Sequence, residues 1–491
     1  MTMEPLDPWD QFAMRAYMQV AVCFPFDDNC SKIEASQRKG DVLHHLRAAL
    51  DTLAKQRPKL AGILQLGHDS DQSGRIFYRE SSSDAIPLSL FALGDHFPSS
   101  YNQLKSNGFP PDIFVHPTFS LDGSLRPGEP TVASRVRVSF ISGGLILWLH
   151  LHHSLGDGGS LNMFLEDFGA CTRGIPLNSP GIRAVPNLPL TSQDQDVQTL
   201  QELLAACPEY SILPNPMGPT SPELRPGGTA IGEIKKAGKI FVFQEKRLDE
   251  LADVIRSEVG ISIKASHYVC LAALTWVHTT IARLETEDFV LPSNRVQDAK
   301  LLTPFDWAWR CLGEKTESYT GNTVGTLLTQ MQVSELIHAH DDAEGLSRVV
   351  QSLAMSLASV ANPWLLHRNN LLARIEDPRL LGLNFDARQP QELGFNTWRS
   401  IGNRANWSIP GVPSHASDAI RRVQGEWNMA GANIMPARGH SDAWELLITI
   451  PECSMDALCK DHQWLKWVDE IIDEKGIRQA QSLTEVDSTL E

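Results

Sequence analysis

The feature that most constrains this chain is a predicted β-hairpin whose second strand ends in two histidines. Two apolar runs, residues 132–141 and 145–151, flank a Ser-Gly-Gly turn at residues 142–144. Glycine supplies the positive φ that tight turns need, so the pattern predicts two antiparallel strands joined by that turn. The second run leads directly into His152 and His153. Reactive groups are often presented where a rigid scaffold meets a loop, so this junction is the first candidate site.

The two histidines are predicted to lie on opposite faces of that strand. Side chains alternate between faces, so Leu149, Leu151 and His153 share one face, while His150 and His152 share the other. His153 therefore continues an apolar row and is expected to point inward as a neutral imidazole, which is a suitable general base. The same alternation argues against a zinc site built from these histidines, and no metal is expected. The alternative for either ring is a core histidine satisfied by hydrogen bonds.

A turn that contains an aspartate between glycines follows the histidines. Asp157 lies four residues after His153, and Gly158 precedes a helical pattern of apolar residues. In a tight turn Asp157 is close enough to brace the ring or the backbone, and we assign it an architectural role. A His-His-x-x-x-Asp-Gly sequence at a strand-to-helix junction favours catalysis over packing.

Residues 143–158, GGLILWLHLHHSLGDG, resemble the histidine signature of the BAHD superfamily of acyl-CoA-dependent acyltransferases. The similarity is greatest to the fungal branch that includes trichothecene 3-O-acetyltransferase. The resemblance implies an α/β (α+β) fold of the two-domain chloramphenicol acetyltransferase type. In that fold each domain is a mixed β-sheet flanked by helices, and the active-site channel lies at the domain interface. The same signature occurs in nonribosomal peptide condensation domains, so the motif predicts a superfamily and leaves the substrate open.

Two further segments supply candidate site residues by resemblance. Thr397 and Trp398 correspond to a Ser/Thr-Trp strand whose hydroxyl faces the channel, so Thr397 is the expected oxyanion donor. Trp398 and His152 are expected to line the acceptor pocket. Ser266 opens a predicted helix that lies near the coenzyme A phosphates in the family, and Lys264 adds positive charge there. Helix capping alone also explains Ser266.

An arginine from the second half of the chain is expected to pair with Asp157. Residues 303–322 resemble the family segment that carries Asp-x-Arg-x-Arg ahead of a Gly-Asn strand. The first arginine is replaced by Ala308, so Arg310 is the remaining candidate. By resemblance this pair holds the two domains in register, with Gly158 as part of the same structural motif.

The length of the chain predicts two domains, because 491 residues exceed the size at which one hydrophobic core keeps growing. We predict an N-terminal acyltransferase domain at residues 1–190, a proline-rich crossover at 191–230 and a C-terminal acyltransferase domain at 231–491. Apolar periodicity also predicts a helix from Asp41 to Gln56 and a closing helix from Met455 to Ile472.

Charge and cysteine content limit the partners. The formal net charge of −16 argues against nucleic acid and anionic membranes, and an anionic co-substrate would need a local basic pocket. Eight scattered cysteines lack the spacing of a zinc site and predict reduced thiols. The first residues, MTMEPLDPWDQF, lack a secretory signal pattern, so a cytoplasmic protein is expected. Within them, Asp10 and Gln11 are interpreted as a turn and a cap.

Together these features predict an acyl-CoA-dependent O-acyltransferase with His153 as general base. By resemblance the donor is acetyl-CoA, which is a co-substrate, and no cofactor is held permanently. The acceptor is then a hydroxyl of a hydrophobic secondary metabolite, such as a terpenoid or polyketide, and a monomer is expected. Two alternatives stay open: a condensation-type enzyme that uses carrier-bound acyl groups, and a non-catalytic ligand-binding member of the fold. Ala308 raises the second, as do residues 403–413, where the plant Asp-Phe-Gly-Trp-Gly signature is degenerate.

Overall fold

The computed structural model describes most of the chain. The described residues are 3–67, 74–80, 85–94, 97–98, 100–177, 198–216, 227–259, 265–286, 298–312 and 321–480. Lys264, one of the predicted cofactor-binding residues, lies outside them, as do parts of the predicted crossover.

The strands and helices are numbered in chain order. The strands are β1 (Glu4–Pro5), β2 (Tyr17–Pro25), β3 (Ile63–Leu66), β4 (Ile76–Arg79), β5 (Leu88–Leu90), β6 (Thr131–Val132), β7 (Ser134–Ile141), β8 (Gly144–His152), β9 (Tyr210–Ile212), β10 (Lys236–Phe243), β11 (Asp298–Asp306), β12 (Val324–Gln332), β13 (Leu381–Leu383), β14 (Glu392–Thr397), β15 (Ala419–Arg422), β16 (Gly431–Met435), β17 (Trp444–Pro451), β18 (Glu470–Asp473) and β19 (Gly476–Gln479). The helices are α1 (Pro8–Gln11), α2 (Lys32–Gln56), α3 (Pro58–Ala61), α4 (Tyr101–Ser106), α5 (Gly158–Thr172), α6 (Leu200–Ala206), α7 (Glu245–Val259), α8 (His267–Thr286), α9 (Val333–His338), α10 (Ala343–Ala358), α11 (Asn362–Arg374), α12 (Glu452–Leu458) and α13 (His462–Leu465).

The predicted hairpin is present as β7 and β8. Ile141 pairs with Gly144 at its turn, and Gly143 between them has a φ of 74°. This left-handed conformation carries no steric cost for glycine, which is why the turn forms here. All nine residues of β8 are buried, because apolar layers cover both faces of the strand.

The first sheet contains this hairpin and has the strand order β15-β2-β8-β7-β5. One face is covered by α2 and α5, whose apolar residues pack on those of β2, β7 and β8. The other face packs on an aromatic cluster around Trp148. The end of β8 is therefore held between two packed layers, which fixes the position of the residues that follow it.

The second sheet comes from the second half of the chain. Its strand order is β12-β11-β14-β16-β17-β10-β18-β19. Helices α7, α8 and α10 cover one face, and their apolar residues form a core with Phe241, Phe395 and Ile448 of the sheet. Smaller pairings complete the described strands, in the orders β1-β4-β3-β6 and β13-β9.

The second half of the chain also completes the first sheet. Strand β15 pairs antiparallel with β2, and Ile401, Trp407 and Ile420 belong to the core beneath the first sheet. Trp398 packs against the cores of both sheets. The two halves are thus joined by a shared strand as well as by surface contacts, while the contiguous boundaries given above remain a prediction.

Two predicted helices differ from the structure. Helix α2 begins at Lys32, well before Asp41, because Ser31 and Glu34 form a capping box that extends it. The predicted closing helix from Met455 to Ile472 is wrong. That segment forms α12, α13 and strand β18, because Ile471 and Ile472 pair with β10 of the second sheet.

Within the described ranges, no single helix is long and apolar enough to cross a bilayer. The consecutive helices α10 and α11, bent by 70° relative to each other, reach that length and composition only as a pair. Both contribute side chains to buried clusters, including Val349 and Leu353 of α10 and Leu365 and Leu371 of α11.

Candidate active site

His153 lies immediately after β8, where the chain leaves the first sheet. It begins a short 3₁₀ turn, and its backbone N–H donates to the Ala16 carbonyl at 2.9 Å. This bond continues the β2–β8 ladder, in which Met18 lies opposite Leu151. The alternation of the strand therefore extends to His153, which is half-buried.

Asn322, which precedes β12, binds both the ring and the backbone of His153. Its Oδ1 lies 3.2 Å from His153 Nδ1, and its Nδ2 donates to the His153 carbonyl at 2.8 Å. The same Nδ2 donates to Asp10 Oδ1 at 2.7 Å, and the Asn322 backbone N–H donates to that oxygen at 2.8 Å. Asn322 and Asp10 are both buried. The network joins three segments that are distant in sequence.

These hydrogen bonds determine which nitrogen of His153 carries the proton. Asn322 Nδ2 donates to Asp10 and to the His153 carbonyl, so both of its hydrogens are used and Oδ1 must be the acceptor. His153 Nδ1 is then the donor in the remaining bond. In the neutral ring Nε2 keeps its lone pair, and it is the basic atom that the site presents.

Asp10 anchors this network, a role that no pattern around residue 10 predicts. It lies on α1 beside Gln11, whose side-chain amide binds the backbone N–H and carbonyl of Ile76. Lys59 Nζ lies 3.7 Å from Asp10 Oδ2. The short helix α1 is therefore fixed from both sides, which holds the carboxylate under Asn322. The interpretation of Asp10 and Gln11 as a turn and a cap agrees with the short helix α1, but it did not include the hydrogen bonds between Asp10 and Asn322.

Asp157 caps α5 and binds the second half of the chain. Its Oδ1 accepts hydrogen bonds from the N–H groups of Gly159 at 2.9 Å and Ser160 at 3.2 Å. Its Oδ2 accepts from the Thr323 N–H at 2.8 Å and from Thr323 Oγ1 at 3.3 Å. Burial raises the pKa of this carboxyl, and the hydrogen bonds from Thr323 and Ser160 oppose the rise. Because Thr323 follows Asn322, Asp157 also places the residue that orients His153.

The predicted pairing of Arg310 with Asp157 is wrong. The Arg310 side chain is exposed and donates from Nη1 to the Leu357 carbonyl at 2.9 Å. The backbone N–H of Thr323 donates to Asp157 Oδ2, where the arginine was expected. Nearby, Ser160 Oγ donates to the Gly321 carbonyl at 3.2 Å. Hydrogen bonds to the backbone therefore set the register of the two halves here, in place of an ion pair.

His152 does not line a pocket, contrary to prediction. Its side chain is fully buried, with Nε2 2.9 Å from the Gly123 carbonyl oxygen and Nδ1 accepting the Ser154 N–H at 3.2 Å. Since a carbonyl can only accept, Nε2 carries the proton. The Tyr17 ring packs edge-on against it at 5.3 Å. Burial lowers the pKa of His152 to about 4, so this ring is neutral at physiological pH.

Comparisons with known proteins give matches over most of the chain. Residues 16–166 match the model of the trichothecene 3-O-acetyltransferase-like N-terminal domain. Trichothecene 8-O-acetyltransferase of Fusarium sporotrichioides is 20% identical over 87% of this chain and 95% of its own length. O-acetyltransferase SAT5 of Stachybotrys chartarum is 25% identical over 86% of this chain and 87% of its own length. The crystal structure of F. sporotrichioides TRI101 with coenzyme A and T-2 matches with a TM-score of 0.73 and 17% identity, covering 95% of this chain and 99% of that one.

The first part of the chain thus resembles the trichothecene 3-O-acetyltransferase-like N-terminal domain, and most of the chain is similar to two fungal O-acetyltransferases. The predicted two-domain α/β fold is confirmed by the likeness to TRI101. The relatives match along most of their own length, so the likeness includes the second half of the chain, where the motifs are least similar.

Thr397 and Trp398 lie where β14 ends. Thr397 is exposed, and its Oγ1 accepts the Arg399 N–H at 3.3 Å. The Trp398 N–H donates to the Ile434 carbonyl at 2.7 Å, and its ring lies between the cores of the two sheets. Trp398 is therefore well placed to contact a ligand bound between the halves, and the roles of both residues remain proposals.

Ser266 has the placement of a helix cap. Its exposed side chain accepts the Val269 N–H at 3.4 Å through Oγ, at the start of α8. Contact between Ser266 and coenzyme A remains a proposal, and the capping bond explains the residue without it.

Gly156 is more tightly constrained than the predicted Gly158. A Cβ at Gly158 would lie 3.7 Å from Ile401 Cδ1, an ordinary contact, whereas a Cβ at Gly156 would overlap the Ser160 side chain. Gly156 follows the 3₁₀ turn and lets the chain pass close to the first turn of α5. The need for glycine in this motif is thus strongest two residues before the position that we singled out.

Proposed function

We propose that the chain transfers an acetyl group from acetyl-CoA to a hydroxyl of a small hydrophobic acceptor, with His153 as general base. The observation that carries the proposal is the hydrogen bond between His153 Nδ1 and Asn322 Oδ1, which leaves Nε2 free to accept a proton. A neutral imidazole that presents an unprotonated nitrogen is suited to that step.

The reaction needs one proton to move twice. Nε2 of His153 takes the proton of the acceptor hydroxyl as its oxygen attacks the thioester carbonyl carbon. The tetrahedral intermediate then collapses, the carbon–sulfur bond breaks, and the thiolate of coenzyme A recovers the proton from the imidazolium. Asn322 acts as a positioning residue throughout, because its Oδ1 accepts from Nδ1 and stabilises the positive charge that forms on the ring.

Thr397 is the proposed donor to the oxyanion of the intermediate. Its Oγ1 already accepts the Arg399 N–H, so the hydroxyl hydrogen is available for donation. Preorganised donors of this kind stabilise charge that develops in the transition state. Asp157 takes no part in proton transfer in this scheme, because its carboxylate is buried and bound to backbone N–H groups.

The donor and acceptor classes rest on the relatives. Trichothecene 8-O-acetyltransferase and SAT5 are named as acetyltransferases, and TRI101 was solved with coenzyme A and T-2. We therefore propose acetyl-CoA as co-substrate and an oxygenated secondary metabolite, such as a terpenoid or polyketide, as acceptor. The chain is proposed to act as a monomer, with residues 1–190 and 231–491 as its two domains.

The test is release of free thiol from acetyl-CoA in the presence of a panel of hydroxylated metabolites, with products identified by the added mass of an acetyl group. We expect acceptor-dependent thiol release by the wild-type chain. A condensation-type enzyme would instead consume an acyl group only from a phosphopantetheinyl carrier. A binding protein of the same fold would retain acceptor without releasing thiol from any donor.

A further inference from the structure

Arg422 stands out because its side chain has no hydrogen-bond or ion-pair partner among the described residues, whereas the side chain of its neighbour Arg421 has several. Arg421 is buried, lies 2.8 Å from Glu445 Oε2 and donates to the carbonyls of Gly108 and Phe109. The guanidinium of Arg422 makes no hydrogen bond or ion pair with any of the residues that the structure describes, although the Arg422 backbone pairs with Val20 in the sheet. The two arginines follow each other on β15, so alternation sends them to opposite faces of the sheet.

The register places Arg422 on the face that leads to His153. Arg422 lies opposite Val20 of β2, and Val20 lies opposite Leu149 of β8. Residues directly opposite in antiparallel ladders share a face, and Leu149, Leu151 and His153 continue along it. His153 lies four residues further along β2, at Ala16, and two strands across. Strand geometry then puts the two Cα atoms about 16 Å apart.

The side chain of Arg422 lies at the junction of the two halves. Its guanidinium carbon is 5.4 Å from the centroid of the Trp398 ring, which packs on the cores of both sheets. The residue is only partly buried, so its N–H groups are not sealed from solvent. Burial nevertheless lowers the pKa of the guanidinium to about 10, and no charged group in the described part of the chain offsets that cost.

A desolvated cation without a counter-charge is costly for a fold, and such groups are concentrated at functional sites. The contact with Trp398 compensates only part of the cost. The chain as a whole carries a formal charge of −16, so this position offers positive charge in a molecule that otherwise repels anions.

We propose that Arg422 binds an anionic oxygen group, a phosphate or a carboxylate, of a ligand held between the two halves of the chain. The inference rests on the proposed function, since the ligand is then the acyl donor. Two sources of the anion fit: the phosphates of coenzyme A, or a carboxylate carried by a dicarboxylic acyl group. A guanidinium on a residue whose Cα lies about 16 Å from the Cα of His153 suits a ligand group that lies beyond the reacting carbonyl.

Calorimetric titration of the full chain tests the proposal. The ligands are coenzyme A, dephospho-coenzyme A, acetyl-CoA and malonyl-CoA, and the variants are Arg422→Gln and Arg422→Lys. The matched control is Arg404→Gln, an exposed arginine that pairs with Glu166. We expect Arg422→Gln to raise the Kd of at least one ligand tenfold or more, and Arg422→Lys to recover part of that loss of affinity. Arg404→Gln should leave every Kd unchanged.

The ligand pattern identifies the source of the anion. If Arg422→Gln loses the same affinity for acetyl-CoA and malonyl-CoA, the contact is with the phosphates of coenzyme A. If the substitution also leaves the affinity for dephospho-coenzyme A unchanged, the contact is with the 3′-phosphate. A loss confined to malonyl-CoA assigns it to an acyl carboxylate. Unchanged affinity of Arg422→Gln for all four ligands would overturn the proposal.

Thermal unfolding without substrate separates this proposal from the proposed function. We expect Arg422→Met to match or raise the Tm of the free chain, because it removes an unpaired cation. Malonate or pyrophosphate at constant ionic strength should raise the Tm of the wild type and not of Arg422→Met. A lower Tm for Arg422→Met, with equal anion responses, would show that the arginine only packs on Trp398. If these anions raise the Tm of the wild type but the wild type binds no coenzyme A, the proposed function is overturned instead.

Discussion

His152 and His153 are adjacent in the chain, yet the fold gives them opposite surroundings. His152 is fully buried, and both of its ring nitrogens bind backbone groups of the first half of the chain. His153 is half-buried, and its Nδ1 binds the Asn322 side chain from the second half. One step along a strand, which reverses the face, therefore separates a structural histidine from the one that can react.

The comparison extends to the proton on each ring. The Gly123 carbonyl fixes the proton of His152 on Nε2, while Asn322 fixes that of His153 on Nδ1. The two rings are therefore opposite tautomers. Only His153 leaves the outer nitrogen Nε2 unprotonated, which is the atom that a general base needs.

The largest expected difference between the two is catalytic. His153→Ala should lower kcat by roughly 10²–10⁴-fold, the range typical of a lost general base, with little change in Tm because the ring is half-buried. Thiol release from acetyl-CoA and thermal unfolding of the same preparation measure the two quantities. Activity within threefold of wild type would remove His153 from the mechanism.

Acid should act in part through His152. Its folded pKa of about 4 lies below the unfolded value of about 6.5, so the unfolded chain binds more protons between those values. Stability should therefore be fully present above pH 6.5 and fall by up to about 3 kcal/mol as the pH drops toward 4. Urea unfolding of wild type and His152→Gln, which keeps a donor for Gly123, measures the effect. An equal acid loss in the variant would assign it to other groups, such as the buried His150.

The orientation of His153 should depend on Asn322. Asn322→Ala removes the acceptor for Nδ1 and should lower kcat by about 10–100-fold with a smaller change in KM, since positioning acts on the chemical step. Asn322→Asp keeps the acceptor and adds a negative charge, so it should raise the kinetic pKa of the base. Steady-state pH profiles of both variants provide the check, and an unshifted profile for Asn322→Asp would contradict the contact.

The sequence was sufficient for the fold and for the motif, and insufficient for the contacts that connect them. Alternation along β8 predicted the different faces of His152 and His153, because that rule is local to the strand. Asp10 and Asn322 are 312 residues apart, and nothing in the local pattern of either shows that they meet. The predicted Arg310 pairing failed because its basis was likeness to a motif that this chain only partly retains. The closing helix was wrong because pairing with β10 overrode a helical pattern at Ile471 and Ile472.

The most direct test of the account is ¹⁵N NMR of histidine-labelled protein near pH 7.5, with the two rings assigned by His152→Gln and His153→Ala. We predict that His152 is protonated on Nε2 and that His153 is protonated on Nδ1, with a His153 Nε2 shift typical of an unprotonated ring nitrogen. If the His153 Nε2 proves to carry the proton in the neutral ring, then the site does not hold a free base there, and the proposed mechanism is contradicted.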